Sequence, residues 1–257
     1  MISLDFSNQL SGHVFQFLLV FARMGAGMML FPGIGESFVP ARLRLVFAMA
    51  LSVLVYPALL PGIPAVPTTV GDLALLLAHE VFVGLFFGSV LRLMMDSIET
   101  AGSIIAVQIG LSNAMILNPT QAAQSALPSA LLSMAAISLL FVSGLDYFLL
   151  RGLIETYHVF PIKEPLMLGD AAQTYAHLMT RCFMVGVEIG APFLVIGLLL
   201  YLAMGMIQRM MPQVQLFLVI MPLQIWGGMI LFAAVIASMA YAWLHFMDDA
   251  FANFLAR

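Results

Sequence analysis

Six long apolar segments dominate this chain and constrain its fold more than any other feature. They run from about Val14 to Phe31, Leu43 to Leu60, Leu73 to Met95, Leu127 to Leu150, Phe183 to Ile207 and Leu216 to Phe246. Each is long enough to cross ~30 Å of hydrocarbon as an α-helix, which takes about 20 residues. Only 9% of the residues are charged, against about a quarter in soluble domains. The sequence therefore predicts an integral membrane protein.

The segments are expected to be helices, because backbone in contact with lipid must satisfy its hydrogen bonds within its own segment. The strand alternation of a membrane barrel is absent from the sequence. Pro192 and Pro222 lie inside two segments, where each removes a backbone donor, so kinked or broken helices are predicted. No fixed-period repeat or low-complexity linker divides the chain. We expect one all-α membrane domain over residues 1–257.

Charge and cysteine content exclude several function classes. The formal net charge of −4 is spread thinly along the chain, so no basic patch for nucleic acid is present. The lone Cys182 excludes an internal disulfide and a CxxC metal or redox motif. Asp5 and the lack of a basic residue before the first apolar segment predict a retained segment rather than a cleaved signal peptide. Lys and Arg divide equally between the two sides, so the positive-inside rule predicts no orientation.

Arg23, Glu80, Asp146 and Glu188 are among the ionisable residues that fall inside apolar segments. A charge in that position costs ~3 kcal/mol on insertion scales, so each must pair, lose its charge or face water. An ion or proton relay is one interpretation. Internal salt bridges and charges near helix ends are the alternative, which we favour because the acids lie in different segments and form no motif.

Small residues recur at helix-packing spacing in GLFFG (Gly84, Gly88) and GVEIG (Gly186, Gly190), which predicts close helix–helix contact. His79 precedes Glu80, but no second histidine follows at i+4, so no metal site is expected. No catalytic triad, phosphate loop or HExxH motif is present, so the sequence gives no support for catalysis and no cofactor is expected.

The stretch from Gly110 to Ser125, GLSNAMILNPTQAAQS, is too polar for lipid and too apolar for an open loop. Irregular backbone at membrane depth is tolerated where protein encloses it or where it lines a cavity. Gly110 and Asn118–Pro119 are expected to break the helix here. The two interpretations are a buried loop in a pore or cavity and an ordinary re-entrant or interfacial turn.

Four blocks spread along most of the chain carry a family pattern, and the last is the most specific. In order they are ARMGAGMMLFPGIGESFVPARLRLVFAMALS (Arg23, Pro32, Pro40, Arg44), HEVFVGLFFG (Glu80, Gly84, Gly88), AGSIIAVQIGLSNAMILNP (Gly102, Gln108, Gly110, Pro119) and QRMMPQVQLFLVIMPLQI (Pro212, Phe217, Pro222). With these blocks the chain resembles the FliR family of flagellar export-gate proteins and its injectisome counterpart SctT.

The resemblance implies a non-enzymatic protein in the gate of a type III secretion apparatus, in the bacterial inner membrane at the flagellar basal body. It implies a single copy joined to several copies of FliP-like and FliQ-like membrane subunits, whose helical hairpins wind into a spiral lifted largely out of the bilayer plane. FlhB-like and FlhA-like proteins, unfolded exported proteins in transit and membrane lipid are the other expected partners.

The resemblance also implies that Gly110 to Ser125 matches the family's plug, within a candidate plug region at residues 101–126. The residues expected to obstruct the channel are Gln108, Gly110, Leu111, Asn113, Met115, Asn118 and Pro119. Those expected in helix packing or assembly are Gly84, Gly88, Gly186, Gly190, Pro212, Phe217 and Pro222. Asn118 departs from the family, which often has an acid there, although Asn can still turn the chain.

Two further interpretations come from other systems. An injectisome export gate would use the same fold as the flagellar gate. A secondary transporter of small solutes would have Arg23, Glu80 and Glu188 as its candidate site, but the paired, discontinuous helices of two related halves are not visible in the sequence.

Overall fold

A computed structural model of the chain describes the backbone of residues 2–111, 127–162, 164, 168–210 and 216–255. This part of the chain contains seven α-helices, one 3-10 turn at Leu60–Gly62 and no strand. The helices are α1 (Ile2–Met29), α2 (Ala41–Leu59), α3 (Val70–Gln108), α4 (Leu127–Val142), α5 (Leu145–Val159), α6 (Leu168–Met210) and α7 (Leu216–Leu255). The predicted all-α membrane protein is confirmed.

Four of these helical stretches are long and apolar enough to cross a membrane. Within the described residues they are Ala41–Gly62, Val70–Gln108, Gly169–Met210 and Ile220–Ala250. The pair α4 and α5 makes a fifth if it counts as one broken span. The first of the six predicted segments is helical, in α1, but that helix is not among the four.

The fourth predicted segment is two helices rather than one. The break falls at Ser143 and Gly144, and Gly144 has φ of +76°, a left-handed conformation that glycine adopts without steric cost. By contrast, α6 and α7 continue through Pro192 and Pro222, where a kink or break was expected. The helix break therefore follows the backbone freedom of a glycine rather than the position of the internal prolines.

The chain forms two compact units, each made of two stretches of sequence. Unit 1 contains Met1–Leu93 and Asp146–Ala176, and unit 2 contains Met94–Leu145 and His177–Arg257. Both α3 and α6 contribute residues to each unit, so neither unit is a separate stretch of chain. The single domain over residues 1–257 stays a prediction.

The core of unit 1 lies where α1, α3 and α5 meet. Its side chains are apolar and fully or almost fully buried, among them Leu19 and Met24 of α1, Leu91 of α3 and Leu153 of α5. Gly27 of α1 brings the helices close, because a Cβ added there would lie 2.8 Å from Leu153 Cδ1. Helices α1 and α2 also pack against each other.

Unit 2 is built around the second half of α3, which packs against α4, α6 and α7. Ile98 and Ile105 of α3, Leu132 of α4, Phe193 of α6 and Trp243 of α7 are buried there. The indole Nε1–H of Trp243 donates to the carbonyl of Met94 at 3.2 Å, which ties α7 to α3 by a polar contact as well as by packing.

Candidate functional site

Helix α3 ends inside the predicted plug region, and this helix end belongs to unit 2. The amide of Ile109 donates to the carbonyl of Ile105 at 2.9 Å, and the amide of Gly110 donates to the carbonyl of Val107 at 3.1 Å. Gly110 has φ of +82°, the left-handed conformation that commonly ends a helix at glycine. The helix therefore ends beside the glycine that the sequence pattern names as a break.

A glutamine on α7 holds this helix end. The side-chain Nε2–H of Gln224 donates to the backbone carbonyl of Gln108 at 2.7 Å. That carbonyl is among the last of α3, which have no partner within the helix. Gln224 is only 6% exposed, so losing this bond would leave a buried amide without its acceptor, at a cost of about 1–3 kcal/mol.

Two glycines bring neighbouring helices against the same point. A Cβ on Gly228 of α7 would overlap the side chain of Ile109, and a Cβ on Gly197 of α6 would overlap the amide of Gln108. The Ile109 atoms next to Gly228 are Cγ2 and Cβ, which cannot move away without moving the backbone, whereas the end of the Gln108 side chain can turn aside. A side chain at Gly228 is therefore tolerated less well than one at Gly197.

A cavity of about 330 Å³ opens beside this helix end, within unit 2. Its lining is apolar apart from the two glutamines and carries no charged side chain: Gln108, Ile109, Phe193, Ile196, Gly197, Leu200, Ile220, Leu223, Gln224, Gly227, Gly228 and Leu231. Such a surface suits neutral groups, because an ion placed there would lose its hydration without gaining a counter-charge.

The start of α4, just after the predicted plug region, is also held against α3. A Cβ on Gly102 would overlap the backbone of Ser129, and the Ser129 hydroxyl donates to the carbonyl of Glu99 at 3.0 Å. Pro128 beside it is buried. Both helices that flank the region are therefore fixed within unit 2, one at Gln108 and the other at Ser129.

Three of the predicted obstructing residues belong to the described chain. Gln108 is the last residue of α3 and half-buried, Gly110 is buried, and Leu111 is half-buried. Asn113, Met115, Asn118 and Pro119 lie outside the described residues. Helix α3 continues to Gln108, so residues 101–108 of the candidate region 101–126 are helical.

Arg23 and Glu80 form a fully buried ion pair in unit 1. Arg23 Nε donates to Glu80 Oε2 and Arg23 Nη2 donates to Glu80 Oε1, both at 2.8 Å, in the two-point geometry of the strongest pairs. Nη1 and Nη2 also donate to the carbonyls of Thr156 and Phe160, each at 3.0 Å. The guanidinium lies 4.0 Å from the ring centre of Tyr157. The pair thus joins α1 and α3 to the end of α5.

Among the four charges predicted within apolar segments, only Arg23 and Glu80 are brought together. Asp146 is half-buried in the first turn of α5, where the helix dipole favours a negative charge. Glu188 of α6 is exposed rather than buried, and no described side chain pairs with it. The described residues also contain no group of three His, Cys, Asp or Glu side chains placed to hold a metal ion.

The predicted packing glycines lie at helix contacts. In unit 1, a Cβ on Gly84 would overlap the carbonyl of Arg23, and a Cβ on Gly88 would lie 2.9 Å from the carbonyl of Gly27. In unit 2, Gly186 and Gly190 of α6 face α3, with Ser97 O 2.7 Å and Ile104 Cγ2 3.1 Å from the added Cβ atoms.

The remaining three positions predicted for packing or assembly lie at or near the start of α7. Pro222 is exposed within α7. Phe217 lies in the same helix, but its side chain is not described, and Pro212 lies outside the described residues. None of the three has a described contact that assigns it a role.

The sequence pattern did not single out Gln224, Gly228 or Ser129, which fix the two ends of the candidate region. A signal for Gln224 is present, since it is the one polar side chain in the apolar run LFLVIMPLQIWGGMI. Gly228 and Ser129 carry no such signal, because their importance depends on which side chain of α3 they meet.

The chain also resembles known proteins over most of its length. A family model described as bacterial export proteins, family 1, matches residues 14–250. The chain belongs to this family. Its relatives include the flagellar biosynthetic protein FliR of Caulobacter vibrioides, 37% identical over 225 residues that cover 88% of this chain and 90% of the relative. The FliR of Escherichia coli is 28% identical over 227 residues, covering 88% of this chain and 85% of the relative.

A relative from another system is more distant. The Yop proteins translocation protein T of Yersinia pestis is 26% identical over 177 residues, which cover 68% of this chain and 67% of that protein. The resemblance to the FliR family that the four sequence blocks indicated is confirmed. Together with its long apolar helices, family membership makes the chain an integral membrane protein among the bacterial export proteins.

Proposed function

We propose that the chain is a non-enzymatic subunit of the flagellar type III protein export gate, which helps to form and to plug the channel for unfolded flagellar proteins. The observation that carries this proposal is the end of α3. There, in a member of the bacterial export protein family, a helix ends at Gln108 between α6 and α7, beside an uncharged cavity, and leads through Gly110 into an uncharged segment.

The chemistry of the segment after α3 suits a plug. No Asp, Glu, Lys or Arg occurs between Glu99 and Asp146. A neutral plug excludes water and ions when the gate is closed, and it presents no fixed charge that would select among the exported sequences. The fixed flanks at Gln108 and Ser129 return such a segment to the same place after each passage.

The proposal is tested by deleting residues 110–121 and measuring ion leakage in cells that express the complete apparatus. We expect the complex to assemble and leakage to rise, because the barrier is removed while its anchors on α3 and α4 remain. A control replaces the same residues by a Gly–Ser segment of equal length, which separates the loss of side chains from the shortening of the chain. An assembled deletion variant with unchanged leakage would refute the plug assignment.

The flagellar system is favoured over the injectisome by the comparisons. The FliR of Caulobacter vibrioides matches this chain at higher identity and over more of its length than the Yersinia pestis translocation protein does. A solute transporter has less support, because Arg23 and Glu80, two of its three candidate residues, are engaged with each other and Arg23 also with backbone carbonyls, so neither is free to bind a substrate.

The proposed assembly has one copy of this chain together with FliP-like and FliQ-like subunits in the bacterial inner membrane at the flagellar basal body. FlhB-like and FlhA-like proteins are its proposed neighbours there. Large apolar side chains such as Leu54, Val70 and Trp226 are more than 70% exposed, which leaves apolar surface for lipid and for the helices of membrane partners.

A further inference from the structure

Helix α6 presents an acidic side chain to its surroundings within a span that is apolar enough to cross a membrane. Glu188 lies near the middle of the candidate span Gly169–Met210, and its side chain is exposed. No described side chain forms an ion pair or hydrogen bond with it. A carboxylate that faces lipid at that depth is costly, and such residues normally pair or face water.

Glu188 belongs to a continuous outward face of α6. Positions that follow one another at three- or four-residue spacing share one side of a helix. On this side the large apolar side chains are 55–69% exposed: Met184, Val195, Leu199, Leu202 and Met206. The other side of α6 is occupied, because Gly186 and Gly190 pack against α3. The α6 face, defined by Glu188 and these five residues, is therefore an unpartnered apolar stripe with one acidic group.

Escape of the carboxylate to the membrane surface does not solve this problem. Snorkelling relies on the long stems of Lys and Arg, and the glutamate side chain is shorter. Glu188 is also far from both ends of α6, which runs from Leu168 to Met210. A positive group brought to it by another molecule would remove the cost and supply a charge-assisted hydrogen bond.

A second copy of this chain is a poor occupant of the α6 face. Two copies with the same orientation in a membrane are related by an axis along the membrane normal, so identical residues meet at the same depth. If the α6 faces of two copies packed on each other, Glu188 would face Glu188 and the like charges would repel each other. A chain of different sequence can instead present the opposite charge at that depth.

We propose that the α6 face is the contact surface for a membrane helix of a different chain, and that this helix places a Lys or Arg side chain opposite Glu188. The inference rests on the proposed function, because it requires membrane partners such as the FliP-like and FliQ-like subunits. It adds which face of this chain they meet and which charge they carry there.

The first test measures how much of each partner is retained when the tagged full-length chain is purified after co-expression with its FliP-like and FliQ-like neighbours. We expect Glu188→Lys to lower retention at least about tenfold and Glu188→Gln to lower it less, because repulsion costs more than a lost attraction. Asp170→Asn is the matched control, since Asp170 is an exposed acid in the first turn of the same helix. It should retain the partners at the wild-type level.

A charge-swap measurement separates a lost contact from a misfolded variant. In the Glu188→Lys background, each Lys and Arg within the membrane helices of the partners is changed in turn to Glu. One such change should restore retention, which a misfolded chain could not show. Retention of Glu188→Lys at the wild-type level, or the absence of any restoring change, would overturn the inference.

A photocrosslinking residue at Val195 tests the occupant in a chain that keeps Glu188. Cross-links to a different membrane protein support the inference, whereas cross-links only to a second copy or to lipid overturn it. Failure of the wild-type chain to retain any partner would refute the proposed function itself. A different result is that the wild-type chain retains its partners and the Glu188→Lys variant retains them equally well. That result would refute only the placement of the contact on α6.

Discussion

Arg23 and Glu80 hold three helices of unit 1 together through an ion pair that water does not reach. Both side chains are 0% exposed, and the guanidinium also donates to two carbonyls at and just beyond the end of α5. Taking both charges out of water is costly, so the pair is stable only because every donor direction is used. Removing one partner leaves the other as an uncompensated buried charge.

We predict that Glu80→Gln lowers the free energy of unfolding by about 3–5 kcal/mol, the usual cost of breaking a buried pair. Glu36→Gln is the control, because the Arg92–Glu36 pair is 35% and 17% exposed at its two side chains, and such pairs contribute about 1 kcal/mol or less. The measurement is the thermal unfolding of each purified variant in the same detergent. Equal losses for the two variants would contradict the structural role of the buried pair.

Sequence reasoning favoured internal salt bridges for the charges in apolar segments, and Arg23 with Glu80 is such a bridge. It did not identify the partners, which are 57 residues apart and meet only because Gly84 and Gly88 bring α3 against α1. The sequence also does not predict whether the side chain of Glu188 is buried or exposed. The charge pattern is the same for a buried and an outward-facing glutamate, and only the packing of Gly186 and Gly190 shows which side of α6 it lies on.

At the scale of the helices, α3 is the most important for the proposed function, because it ends at the candidate plug region. The predicted segment Leu73 to Met95 covered only part of this helix, which continues through polar residues to Gln108. Those residues remain helical because α4, α6 and α7 pack around them at Gly102, Gly190 and Gly228. The apolar segment therefore predicts that a helix is present, but it does not predict the residue at which the helix ends.

We predict that Gly228→Ala displaces the end of α3 and raises ion leakage through the assembled, closed gate. The added Cβ would overlap Ile109, and the Cα of Ile109, at 3.3 Å, leaves the backbone little room. Gly227→Ala is the matched control, because a Cβ there has nothing within 4 Å, and alanine stabilises a helix interior by about 1 kcal/mol relative to glycine. It should leave leakage unchanged. The same leakage in both variants would show that contact with Ile109 does not fix the plug.

The break between α4 and α5 has a local signal in the sequence, a serine followed by a glycine. Ser143–Gly144 interrupts an apolar run that hydropathy predicts as one segment, and the positive φ of Gly144 suits a residue without a Cβ. Pro192 and Pro222, which predict kinks or breaks, do not end their helices. A single missing backbone donor costs less than interrupting the packing of a long apolar helix, so the helix continues.

For the whole molecule, we propose that this chain works as one subunit of a mixed membrane assembly. Sequence composition gave the all-α membrane class, and the four sequence blocks gave the family. Partner number and arrangement could not follow from either, because they depend on surfaces of other chains. The exposed, unpaired Glu188 within an apolar span of α6 is the feature of this chain that calls for a partner, because a carboxylate there normally pairs or faces water.

The most direct measurement of this claim is native mass spectrometry of the full-length chain, extracted in mild detergent after co-expression with its genomic neighbours. We expect one complex whose mass corresponds to a single copy of this chain with several copies of two smaller membrane proteins. A monomer or homodimer that retains no neighbour, under conditions that preserve a known export-gate complex, would contradict it.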